Sequence, residues 1–448
     1  MLLKINCVTS LIEKGNYMKS RLVIIRNTIL YACIILLGVF SGVCYGAESP
    51  NGEARSKRAI DRFGRAGVEC FEQMFQTEKF DFGYQGKCGG NVLHYAALTG
   101  NLDRVKLLIE RGADVNVKDD VSRTALHHAY QSGNLDVAKY LVEKGADVNP
   151  CDCDGDRILY FAARSGNLEL VKWLFDHGVD LSLESKWDEV VLHSAAESGN
   201  LDLVKWLVKK GLDVNSKKMF GTTVLHSAAR SGNLELVQWL IEKGLDINAK
   251  DDVDNTVLHF AAESGNLELV KWLVEKGMDV KIKNGVERTV LHSAAESNNL
   301  ELVKWLVDKG VDINAEDMMD GTVLHIAAWN GNLELVKWLV EKGMDISSKE
   351  DGVVSVLFCA AGSGNLELVK WLVDKGMDVN AKNNLGKTVL HSAAESGNLE
   401  LVKWLVEKGL DVNAKDNNGY TILFAAVFGG NDEMYDWLIE HGAKESDQ

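Results

Sequence analysis

The side chains best suited to chemistry in this chain are its histidines. Eight of the eleven follow a leucine: His94, His127, His193, His226, His259, His292, His325 and His391. Imidazoles in a row could ligate zinc or relay protons. Their spacing argues against both. Neighbours stand 33 residues apart, or 66 where Tyr160 or Phe358 takes the place. A fixed period of that length puts equivalent residues in successive units of a stacked array. Helices stack about 8–10 Å apart, whereas a zinc–nitrogen bond is about 2.1 Å, so two neighbours cannot share an ion. Cys151 and Cys153 form a CxC, with Cys70, Cys88 and Cys359 elsewhere beyond residue 47. A structural zinc site needs a second close pair, and there is none. No nucleophile–base pair, phosphate loop or carboxylate cluster emerges. The expectation is a chain without catalytic residues, cofactor or metal, and not an enzyme.

The elements that would position these histidines are visible in the same period. The preceding leucine recurs from Leu93 and Leu126 through Leu390 to Leu423 without an insertion. In the stretch Leu385 to Asn417, Thr388 is a good N-cap, its hydroxyl able to take an orphan amide of a helix predicted over Val389 to Ser396. Leu390, Ala393 and Ala394 form one face of that helix, and the paired alanines admit another backbone closely. Gly397 ends it and Asn398 caps a second helix, Leu399 to Lys408, whose Leu401, Val402, Leu405 and Val406 make a stripe wide enough to bury. Gly409 is the left-handed stop. Beyond it come a short extended arm, Leu410 to Asn413, and a tight turn, Asp416 to Gly419. A helix pair this short cannot bury both apolar faces alone, so it must stack on its own copies.

These residues make the unit resemble the ankyrin repeat. Those that match are Thr388, Leu390 and His391, the alanine pair, Gly397, the Leu-Val…Leu-Val stripe, Gly409 and Asp411-Val412-Asn413. The resemblance covers eleven units: 88–117, 121–150, 154–183, 187–216, 220–249, 253–282, 286–315, 319–348, 352–381, 385–414 and 418–447. Asn at the second-helix cap and Gly at the stop hold in all eleven. The proline the family usually places after Thr is Val, Ile or Ala here, which lowers stability without threatening the fold. The resemblance implies an all-α solenoid of helix-turn-helix units joined by β-hairpin loops, with hairpin tips and first helices lining a concave side. It also implies that the repeated histidine bonds the hairpin loops, and that the surface binds proteins.

Residues 1–47 stand outside the array. Arg26 is followed by NTILYACIILLGVFSGVCYGA, without a charge, and the basic residues all precede it. This reads as a targeting helix: a signal peptide cleaved after Cys44-Tyr45-Gly46, starting at Met18 or Met1, or a signal anchor over residues 29–47. Either way the repeats end outside the cytoplasm, periplasmic or secreted after cleavage, or membrane-anchored. Residues 48–87 read as a tether and a degenerate capping repeat, with Ile60, Gly67, Phe75 and Asp81 in register with the first unit. A Cys70–Cys88 disulfide could tie this cap to unit one. At the other end Asp432 and Lys444 replace apolar and acidic framework residues, as suits an end exposed to water. The chain carries a net charge of −16, and with +4 in residues 1–46 the remainder is −20. Nucleic acid is not an expected partner of such a body.

Partner contacts should come from positions that vary while the framework stays fixed. On the first helices these include Arg164, Glu197, Arg230, Glu263, Glu296, Trp329, Glu395 and Phe428, and at the tips Arg123, Trp187, Phe220, Arg288 and Met319. Trp and Arg are common interface anchors, so Trp187 and Trp329 lead. Nine second helices carry a tryptophan, from Trp173 to Trp437. An open row of this kind would exceed the apolar patch a soluble monomer exposes, so packing within the array, or a partner or membrane, must cover it. The expected function is a non-enzymatic, exported scaffold whose acidic concave face docks a folded protein or peptide, an effector by analogy. The alternative is a structural scaffold anchored in a membrane by residues 29–47.

Overall fold

The structure is a computed structural model, and it describes residues 65–148, 152–153, 158–177, 179, 191–347, 355–429 and 431–444. The targeting segment, most of the tether and the tip residue Trp187 lie outside these. Residues 59–448 form one compact unit. Its described part is all-helical: a cap helix, Arg65–Thr77, and eleven helix pairs running from Val92–Leu98 with Leu102–Glu110 to Ile422–Gly429 with Asp432–Glu440.

The predicted unit is recovered to within a residue at each helix end. Unit ten holds Val389–Glu395 and Leu399–Glu407, with Ser396 and Lys408 as C-caps. From unit two to unit ten each first helix lies between the first helices of its neighbours, as Val257–Glu263 lies between Val224–Ser231 and Val290–Glu296. The alanine pairs make this close approach possible and are fully buried, Ala261 and Ala262 among them. Leu269, Val270 and Leu273 bury the inner face of the matching second helix. Isolated antiparallel bridges, such as Lys250 with Thr256 and Lys382 with Thr388, close the hairpins between units.

The repeated asparagine has two tasks, of which sequence reasoning found one. In all eleven units its side-chain oxygen accepts an amide at the start of the second helix. Its Nδ2 also donates to a glycine carbonyl of the preceding unit, at 2.7–3.0 Å in nine junctions. The remaining junction is weaker. Asn298 stands there in place of glycine, at φ 59°, and Asn332 Nδ2 reaches its carbonyl only at 3.4 Å. A left-handed backbone disfavours a residue with a Cβ. Asn298→Gly is therefore expected to stabilise the array by about 1 kcal/mol. A higher urea midpoint would show it, and an unchanged or lower one would refute it.

The N-terminal cap is built on Phe71, which is fully buried between the rings of Tyr84 and Tyr95, at 5.7 and 5.6 Å. Glu72 pairs with Arg104 of unit one through two bonds of 2.5 and 2.7 Å. A disulfide, which the sequence allowed here, is not what ties cap to array: Cys70 and Cys88 are not bonded to each other.

Candidate interaction surface

The histidines are framework residues. In unit ten the Thr388 amide donates to His391 Nδ1 at 3.1 Å, and the Thr388 hydroxyl lies 2.9 Å from the same atom. An amide can only donate, so Nδ1 accepts and the ring proton sits on Nε2. That atom reaches the next hairpin: His226 to Ala249 O at 3.1 Å, His259 to Arg288 O at 3.3 Å, His391 to Tyr420 O at 3.3 Å. The helix-start amide is thus tied by the histidine, a bond the reading of Thr388 did not foresee. Burial, the main cause, brings His94, His193, His259 and His292 down to about 4.

The tryptophan row is covered by the array itself. Among the described residues all nine rings are partly buried and none is exposed. Seven carry the ammonium of the lysine four residues on, from Lys210 over Trp206 at 5.2 Å to Lys408 over Trp404 at 5.4 Å. In units three and eleven His177 and His441 stack there instead, at 4.1 and 3.8 Å from Trp173 and Trp437. The Trp…Lys spacing is readable in the sequence, since positions four apart share a helix face.

The variable positions of the first helices do line up, and their charges are mostly matched. Lys218 meets Glu197 at 2.5 Å, Arg230 meets Glu263 at 3.1 Å, Lys387 meets Glu395 at 2.5 Å, and Arg288 pairs with Glu296. Arg164 donates to the Tyr160 hydroxyl at 2.7 Å. Burial alone would raise the Glu197 carboxyl, but Lys218, Arg164 and Arg230 outweigh it and bring it down to about 2. Burial does lift Glu263 above its ordinary value, with Arg230 opposing and Glu296 adding to the effect. This row is therefore a charge-paired ladder and not the acidic face expected from composition. Lys218 was missed because it lies in the following hairpin.

Trp329 breaks the ladder. Its side chain is 53% exposed and leans over unit nine, where a carbon added to Gly362 would lie 3.4 Å from the ring. Phe220 is also exposed, at a tip with φ 62°, a costly conformation for a bulky residue. Met219, Met318, Met319 and Leu385 are exposed with it. Of these, Met219 and Met318 share one step of the period, and Phe220, Met319 and Leu385 share the next, a register that was there to be read. Arg123 is withdrawn from the candidate tips, because it is buried and paired with Asp152 at 2.9 Å. Phe428 lies in Ile422–Gly429, with its side chain outside the described residues. Among the described residues no group of three His, Cys, Asp or Glu is placed to hold a metal ion.

A family model described as ankyrin repeats in three copies matches residues 59–152, 93–186, 146–218, 192–284, 258–350 and 354–448. Among solved structures, the crystal structure of the human ASB11 ankyrin repeat domain is similar at 28% identity. The similarity covers 48% of this chain and 96% of that one, with a TM-score of 0.37. No curated protein matches the chain. The matched segments run over residues 59–448 and coincide with the stacked, histidine-tied helix pairs described above, so this chain belongs to the ankyrin repeat family.

Proposed function

We propose that the chain is a non-enzymatic scaffold that holds a protein partner along its first helices and hairpin tips. One observation carries this reading. From residue 217 to residue 414 every described large apolar side chain that is exposed lies on that side: Met219, Phe220, Met318, Met319, Trp329 and Leu385. The second helices of units five to ten cover their tryptophans with lysine and present Glu–Lys pairs such as Glu400 with Lys403. Exposed aromatic and apolar anchors on an otherwise satisfied surface are what a protein interface uses. The partner candidates, in order, are Trp329 and Phe220, with Arg164, Glu197, Arg230, Glu263, Glu296 and Glu395 as the polar rim. Trp187 and Phe428 stay on this list from their positions in the repeat.

With this goes the proposal that the chain is exported, supported by the uncharged run after Arg26; retention through residues 29–47 is the alternative. The mass of the mature chain separates cleavage after Gly46 from retention. For the interface, intact chain, Trp329→Ala and the second-helix control Glu400→Ala are compared in quantitative capture. Trp329→Ala is expected to weaken capture of the principal partner at least tenfold, about 1.4 kcal/mol, while Glu400→Ala leaves it unchanged. Equal capture by all three would refute the surface.

A further inference from the structure

The eleventh unit carries a surface that no other unit shows. In units one to ten the residue at the Leu-His position and the residue three further on are buried, as His391 and Ala394 are. In unit eleven they are Phe424 and Val427, 42% and 63% exposed. The Tyr420 ring lies flat on Phe424, at 4.4 Å and 7°, and is itself 48% exposed. The helix that bears them, ILFAAVFG, has no polar side chain, and a helix apolar all round is a buried helix. Sequence reasoning expected a polar end here; the polar replacements fall on the second helix and beyond, while the first helix is left apolar.

The face continues the interface along which every first helix stacks on the next, so its occupant is an apolar helical surface. The opposite end does not supply one. Among the described side chains of the cap helix, the exposed ones are Glu69, Gln73, Gln76 and Thr77, with Phe71 and Met74 turned inward. Head-to-tail stacking would press polar groups on Phe424 and Val427 without hydrogen-bond partners, at a desolvation cost. The same face of another molecule meets it with matching chemistry, in an isologous, closed arrangement. We propose that Tyr420, Phe424 and Val427 form a tail-to-tail interface with a second copy of this chain. Three side chains supply less than the ~800 Å² per partner of a standard interface, so the dimer is weak and concentration-dependent. It is independent of which protein the ladder and Trp329 hold.

The test is sedimentation equilibrium of the full chain between about 2 and 200 μM. The weight-average mass is expected to rise from 49.4 kDa towards twice that value. Val427→Lys should stay at the single-chain mass, with unchanged circular dichroism and urea midpoint, and Val427→Glu should do the same in case lysine brings a folding defect of its own. Trp329→Ala should associate like the parent. A parent chain that is monomeric throughout overturns the proposal. So does association that survives both Val427 variants, or a mass that climbs past the dimer as an open head-to-tail stack would.

Discussion

Acidification from pH 7 to pH 5 is expected to lower the urea midpoint of this protein steeply, before ordinary carboxylates begin to titrate. His94, His193, His259 and His292 sit at about 4, His127 at about 3, and His226 and His391 are also below the ordinary 6.5, in each case chiefly through burial. In the unfolded chain these rings take up protons near pH 6.5, whereas in the array they stay neutral until the folded value is reached. The unfolded state therefore binds more protons, and stability falls as pH falls. The contribution is fully present above about pH 6.5, declines by about 1.4 kcal/mol per pH unit for each histidine, and levels off near pH 4. Glu263 acts in the opposite sense, because its raised carboxyl is protonated in the array before it is in the unfolded chain. One group does not offset seven. Neighbouring units unfold in partly independent blocks, so the loss is shared among transitions and not summed into one. Circular dichroism at pH 7, 6 and 5 in urea measures it. A midpoint constant over that range would mean the histidines are not buried as described.

Much of this was legible because the period reports on itself eleven times. A cap, a stop or a buried leucine that recurs at one step of 33 needs no tertiary knowledge to be recognised, and the helices of unit ten came out within a residue. Features that join one unit to the next were harder to see. Asn398 was recognised as a cap, but its bond to Gly364 O spans 34 residues and becomes visible only once the units are stacked. Lys218 reaches Glu197 from the following hairpin, so composition suggested an acidic face where the fold makes a ladder of pairs. The cover on the tryptophans is a different case, because the lysine stands four residues on in the same chain segment and is readable in the sequence. Phe71 is the converse case. It stands 33 residues before Arg104 and so outside the apolar register of the framework, yet it is the side chain on which that cap is packed.

Asp152→Asn is expected to destabilise the array by about 3–5 kcal/mol, because it leaves a buried guanidinium without its counter-charge. Arg123 donates to Asp152 Oδ2 from Nε and Nη2 at 3.0 and 2.9 Å. Their side chains are 5% and 0% exposed, and the guanidinium also lies 4.9 Å from the centre of the Phe161 ring. The pair joins the hairpin of unit two to that of unit three. At several other junctions a histidine Nε2 makes the hairpin link, as in His226, His259 and His391. The ion pair ties this junction, and it belongs to the framework and not to the partner surface. Replacing both members by leucine should recover most of the loss, since well-packed apolar groups tolerate such a site better than a single stranded charge. The decisive comparison is the urea midpoint of Asp152→Asn, Arg123→Leu and the double variant. A loss below about 1 kcal/mol in both single variants would place the pair among the weak, solvent-screened ones, and the junction would have to be held by something else.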